Sequence, residues 1–148
     1  VVAKGIAGGV PIGALVTFGE ASALLESGQH GSTFGGNPLA AAAGNAVLAE
    51  IERASLLGNA AQRGEQLRTI ITKLGHSLID DVRGRGLLIG VGIGAPVAKK
   101  LAAEAFSRGL IINAPNDHSI RIAPPLIVGD DEVEEFARIF IESLEAVS

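Results

Sequence analysis

Lys4 heads a stretch rich in residues that suit chemistry: Val1-Val2-Ala3-Lys4-Gly5-Ile6-Ala7-Gly8-Gly9-Val10-Pro11-Ile12-Gly13-Ala14. A short apolar lead delivers one amine, and four glycines and a proline then keep the backbone bare. Glycine admits positive φ and lets a ligand approach the main chain. A lysine in such a place can lose its proton through desolvation or a cationic neighbour and act as a nucleophilic amine, which is the requirement of Schiff-base chemistry. The same residues also read as a surface lysine in a flexible loop. On this stretch alone both readings stand.

A second block, His30-Gly31-Ser32-Thr33-Phe34-Gly35-Gly36-Asn37-Pro38, sets two hydroxyls in a glycine-rich setting. Thr33 and Ser32 can donate to phosphate or substrate oxygens, or they can simply cap a turn. His30 is titratable, but a single histidine in such a loop is more often structural. Arg121 lies between Ile120 and Ile122, and a period of two puts the isoleucines on one strand face and the arginine on the other. A cation turned from the core, near Pro124-Pro125, reads as site-facing, with a surface ion pair as the alternative. Arg83 and Arg85 flank Gly84 and could hold an anion; a turn before a strand is the preferred reading. No phosphate-binding Gly-x-x-x-x-Gly-Lys-Ser/Thr exists, the early glycines do not form Gly-x-Gly-x-x-Gly, and no Asp/His cluster has metal spacing.

The series Lys-Gly-x-x-Gly-Gly-x-Pro-x-Gly-Ala over Lys4 to Ala14 resembles the cofactor-lysine segment of class III (subgroup II) aminotransferases. His30 to Pro38 resembles the segment that, in that family, reaches the cofactor phosphate of the neighbouring subunit. Val82-Arg83-Gly84-Arg85-Gly86-Leu87-Leu88 and Arg121-Ile122-Ala123-Pro124-Pro125-Leu126 match as well. Within the family, the acetylornithine aminotransferases look most similar.

The resemblance implies an α/β chain forming the C-terminal part of a fold-type-I pyridoxal-phosphate-dependent transferase. Residues 1–75 would be the end of the large domain with a bridging helix, and 76–148 a small α+β domain. It further implies that Lys4 is the catalytic residue bound to pyridoxal 5'-phosphate, that Thr33 contacts the phosphate, and that Ser32 and Arg121 meet substrate. The implied reaction moves an amino group from N2-acetylornithine, or a related ω-amino donor, to 2-oxoglutarate in arginine biosynthesis. The full second block favours acetylornithine or ornithine over 4-aminobutyrate as donor. The implied assembly is a homodimer. Several family site elements lie upstream of this segment, among them the main phosphate loop, the ring stacked on the pyridine and the aspartate paired with its nitrogen. A non-catalytic C-terminal fragment is therefore the competing expectation.

Composition fits these readings. Hydrophobic residues make up 47% and charged residues 19%, as in a globular domain. A net charge of −4 with no Lys/Arg-rich run argues against nucleic acid as partner. Zero cysteines exclude disulfides and thiolate metal sites. The first residues lack a basic region followed by a long apolar one, and no apolar run approaches the roughly 20 residues of a membrane helix. A cytoplasmic location is the expectation. The sequence contains no methionine, even at its first position, which suggests either a valine start codon or a piece of a longer protein.

The elements that must position these residues follow from pattern. Ile12 to Phe18 predicts a buried strand, Glu20 to Leu25 a short helix or turn, and Ser27 to Gly36 a loop. Asn37-Pro38 starts a helix with a narrow alanine-rich face. Its pattern breaks near Gly58 and resumes to Gly75, giving one kinked helix or two. Leu87, Ile89, Val91 and Ile93 alternate as a strand. Pro96 to Gly109 predicts a helix, Leu110 to Ile112 and Ser119 to Ala123 two short strands. Asp130 onward predicts a helix burying Val133, Phe136, Phe140 and Leu144, with Asp131 and Glu134 as a capping box.

Overall fold

A computed structural model describes residues 1–148. The chain divides into two compact units, Val1–Ser55 and Leu56–Ser148. This division falls earlier than the boundary expected at 75/76. Its cause is the second of two helices: α1 spans Pro38–Arg53 and α2 spans Leu56–Lys73, and α2 buries Leu67 and Ile71 in the core of the later residues. The helical break lies at Ala54–Ser55, with Ser55 at φ 51°. Gly58, the expected breakpoint, sits inside α2.

In the first unit, α1 starts where the sequence predicts. Asn37 is extended (φ −61°, ψ 153°), and its side-chain oxygen accepts from the Ala40 N–H at 3.0 Å while Pro38 opens the helix. Two 3-10 turns, Lys4–Ala7 and Gly19–Ala23, precede it. The small residues of α1 let the lysine-bearing turn approach: Ala7, Ala40 and Gly44 are buried, and Val47 comes within 3.5 Å of the Cβ position of Gly8. The strand expected over Ile12 to Phe18 is a misreading. Only Ala14 pairs, with Val2, through reciprocal bonds of 2.8 and 2.9 Å. Leu15, Val16 and Phe18 are exposed, Phe18 at 82%. An apolar run becomes a strand only where neighbours complete its ladder, and this unit offers it Val2 alone.

The second unit is a four-stranded antiparallel sheet in the order β1-β2-β4-β3: β1 Ile79–Arg85, β2 Leu88–Ile93, β3 Asn113–Asn116 and β4 Ser119–Ile122. Two further helices, α3 Ala98–Ser107 and α4 Asp130–Val147, complete it. Ile89, Val91 and Ile93 of β2 and Ile120 and Ile122 of β4 point to one face, where they form one core with Leu67, Ile71, Leu101, Val133, Phe136, Phe140 and Leu144 from the helices. Phe136 and Phe140 stack at 5.2 Å between centroids. Helices thus cover one face of the sheet, and the other stays open.

Three local readings change. β1 is a strand where sequence suggested a turn, because Gly84 (φ 135°) and Gly86 (φ 53°) absorb the bends and leave Arg83 and Arg85 in the ladder. The strand after α3 begins at Asn113, beyond Leu110–Ile112, whose apolar side chains Leu110 and Ile112 instead pack on the core. The α4 N-cap is Gly129, and Glu132 accepts from its N–H at 2.8 Å. Asp131 and Glu134 are exposed. The buried stripe of α4 is as predicted.

Candidate active site

Lys4 is held in an uncommon backbone state. Its φ is 59°, in the left-handed region that costs a residue bearing a Cβ about 1–2 kcal/mol. Such a conformation persists only where the surroundings impose it, and these outliers cluster at functional sites. Here the surroundings can be named. The Val2–Ala14 bridge ties the two ends of the glycine-rich loop together. The turn that starts at Lys4 rests on α1 through buried Ala7, and Gly8, itself left-handed at φ 60°, ends it. The amine therefore projects from a closed loop seated on a helix. Lys4 is exposed and forms no ion pair within the chain.

Ser32 and Thr33 lie in the loop that runs into the same helix. Ser32 Oγ accepts from the Gly35 N–H at 3.0 Å. A Cβ on Gly35 would come within 2.9 Å of Ser32 Cβ and Oγ, so this tight turn requires glycine. Asn37 adds a bond from its amide nitrogen to the Phe34 carbonyl at 3.0 Å. The turn-capping reading is thus correct for Ser32, whose hydroxyl hydrogen nevertheless remains free to donate. Thr33 Oγ1 makes no hydrogen bond within the chain and is exposed. α1 consequently organises both blocks: its flank carries the lysine turn and its N-cap ends the hydroxyl loop. No hydrogen bond joins Lys4, Ser32 and Thr33 to one another.

Arg121 is on β4 in the second unit. It is exposed on the open sheet face, with Ile120 and Ile122 buried on the other, as the two-residue period predicts. Its strand partner on β2 is Gly90, and Gly90 in turn pairs with Arg83 of β1. Asp81, Arg83 and Arg85 lie in the β1 ladder, with Asp81 ion-paired to Arg83 at 2.6 Å.

This mixed sheet-and-helix fold is shared with solved aminotransferases. The crystal structure of acetylornithine aminotransferase from Elizabethkingia anophelis superposes with a TM-score of 0.77 at 34% identity, over 82% of this chain and 33% of that one. Ornithine delta-aminotransferase from Plasmodium falciparum gives 0.76 at 28% identity, over 83% and 32%. The fold is therefore a mixed α/β part of a fold-type-I transferase. In sequence, the family description "Aminotransferase class-III" matches residues 1–144, and the chain belongs to that family. It is 48% identical over 134 residues to acetylornithine aminotransferase of Streptomyces coelicolor, covering 90% of this chain and 33% of the relative. The Mycobacterium tuberculosis acetylornithine aminotransferase is 49% identical over the same length, covering 90% and 34%. The chain thus spans about a third of the length of the curated relatives it matches.

Proposed function

We propose that these residues belong to an aminotransferase that moves an amino group from N2-acetylornithine to 2-oxoglutarate with pyridoxal 5'-phosphate, in arginine biosynthesis. Residues 1–75 would be the end of its large domain with α2 as the bridging helix, which packs into the core of the small domain at 76–148. The observation that carries the reading is the left-handed Lys4 in a bridge-closed, glycine-rich loop. Family membership and the acetylornithine relatives support the choice of reaction.

The donor set suits the cofactor. Lys4 offers a primary amine to an aldehyde, and Thr33 offers a hydroxyl without an internal partner to a phosphate oxygen. When bound, pyridoxal phosphate supplies an electron sink for the exchange of amino groups. Lys4 Nζ holds the cofactor and, when released, moves the proton at the substrate carbon. Ser32 orients the substrate from its turn. Arg121 presents a planar fork to a substrate carboxylate, a match of geometry as well as charge. A cytoplasmic homodimer is the proposed setting, supported by the likeness of residues 30–38 to a segment that acts across subunits.

Replacing Lys4 by Ala in the full-length enzyme is expected to abolish both the visible absorbance of lysine-linked cofactor and glutamate formation. Normal turnover in that variant would sink the assignment.

A second reading concerns the 148 residues alone. Leu15, Val16, Phe18, Leu24 and Phe34 are all exposed, so the lysine's unit lacks packing of its own to hold a narrow catalytic geometry. The chain mixed with pyridoxal phosphate, acetylornithine and 2-oxoglutarate should form no glutamate above free cofactor. Turnover that disappears on Lys4→Ala would show it to be self-sufficient.

A further inference from the structure

Asn37 stands where the hydroxyl loop meets α1. It is half-buried, and every other residue of 30–38 is exposed. A loop so placed has little packing to hold it, so hydrogen bonds must do so. The Asn37 amide works at both ends: Oδ1 accepts from the Ala40 N–H at 3.0 Å, and Nδ2 donates to the Phe34 carbonyl at 3.0 Å. Capping a helix needs only the acceptor, which serine or aspartate supplies as well. The donor therefore serves something else. It holds the carbonyl of the residue next to Thr33. From the other side, Ser32 Oγ accepts from the Gly35 N–H at 3.0 Å. The two bonds close 32–35 and 34–37, and they overlap at Phe34 and Gly35. Thr33 lies inside the first ring and adjoins the second. Its side chain is β-branched and stiff at χ1, so the place of its hydroxyl follows from the place of its backbone.

We propose that Asn37 is a positioning residue for the cofactor phosphate: its donor to Phe34 fixes the Thr33 hydroxyl relative to α1. Asn37 touches neither cofactor nor substrate and acts through Thr33. A hydroxyl that reaches toward a phosphate from an exposed loop needs an anchor on a rigid element, and the capped first turn of α1 is that element. The inference rests on the reading of Thr33 as a phosphate contact and names what holds that contact in place.

The test is the cofactor affinity of the full-length apoenzyme, read as the pyridoxal 5'-phosphate concentration that restores half of the visible absorbance of lysine-linked cofactor, with thermal melts beside it. Asn37→Ser keeps an oxygen for the Ala40 N–H, adds no charge and lacks the amide donor. It should melt like wild type yet weaken cofactor affinity about three- to tenfold, the range of one net hydrogen bond between neutral groups. Thr33→Val should weaken it about ten- to hundredfold, because the bond it loses is to a charged group. Adding Asn37→Ser to Thr33→Val should cost nothing further, since a residue that acts through Thr33 has nothing left to position. Pyridoxal, which lacks the phosphate, should bind wild type and Asn37→Ser alike. If Asn37→Ser fails to fold, Asn37→Asp takes its place with the same cap; repulsion of phosphate by its added charge would persist in the double variant, whereas lost positioning would not. Wild-type cofactor affinity in the Asn37 variant, a loss that adds in full to that of Thr33→Val, or an equal loss for pyridoxal overturns the proposal. Wild-type affinity in Thr33→Val overturns instead the reading of Thr33, so the two errors give different results.

Discussion

Residues 56–148 close a core from Leu67 to Val147 around both strands of the central pair. Among residues 1–55, the buried hydrophobic side chains are Ala7 and Ala40 alone. Leu15, Val16, Phe18, Leu24 and Phe34 face outward. Yet the second block and the lysine, which carry most of the proposed chemistry, sit in this poorly packed part. The first unit spends its sequence on backbone shape: a left-handed lysine, a glycine-dependent turn at Gly35, a capped helix start. The second spends it on packing. Functional loops are drawn from the low-stability end of a structure, and scaffolds from the other.

Limited proteolysis would break this contrast most directly. Chymotrypsin acting on the chain should cut first after Phe18, Leu24 and Phe34, which are 74–82% exposed outside regular helix or strand. Cleavage at Phe136 or Phe140 requires opening of the whole second core and should be slower by a factor on the order of a hundred or more. A first cut inside residues 56–148 would mean that the second unit is not the stable one.

A pair of glycines in one helix sharpens the comparison. A Cβ on Gly64 would overlap the carbonyl of Gly86 in the β1–β2 turn, whereas one on Gly58 meets nothing within 4 Å. Gly58→Ala should stabilise by about 0.5–1 kcal/mol through helix propensity alone. Gly64→Ala makes the same propensity gain but forces α2 from the sheet, and overpacking costs about 1–3 kcal/mol. A net loss of roughly 1–2 kcal/mol is expected, read as a lower Tm. Equal melting of the two variants would show that α2 does not depend on that contact.

The same asymmetry explains what the sequence disclosed. The α4 stripe, the Asn37-Pro38 start and the outward Arg121 were legible because each depends on local period or local hydrogen bonding. The buried strand over Ile12 to Phe18 failed because burial is a property of neighbours, and unit one supplies only Val2. β1 escaped because Gly84 and Gly86 look like turn residues, although only Gly86 belongs to the hairpin bend. The lysine loop was read from its motif. Its left-handed backbone was not, since a lysine at positive φ contradicts local preference and is imposed by the bridge and by α1.

The smallest effect concerns how the second unit fastens its last helix. Asp130, at the first turn of α4, accepts from Arg63 Nη2 of α2 at 2.8 Å and also from Arg63 Nη1. This hydrogen bonding holds the Asp130 carboxyl below its ordinary value of 3.8; burial opposes the shift, and Gln66 and the Arg63 charge add to it. A carboxyl lowered in the folded state stabilises the protein when ionised, so its contribution is full above the ordinary aspartate range and fades as pH falls through the lowered value. Asp130→Asn should therefore melt below wild type at neutral pH, and the two should converge on acidification. Asp130 also favours the positive end of α4, so Arg63→Gln separates the causes: it removes the ion pair and leaves the charge at the helix terminus. Its deficit should be smaller than that of Asp130→Asn. Both should shrink in high salt, as expected for a side chain that is 60% exposed. Neither change should alter cleavage after Phe18 or Phe34, because the fastening lies wholly within the second unit. A wild-type-like acid profile in both variants would show that the pair contributes nothing measurable.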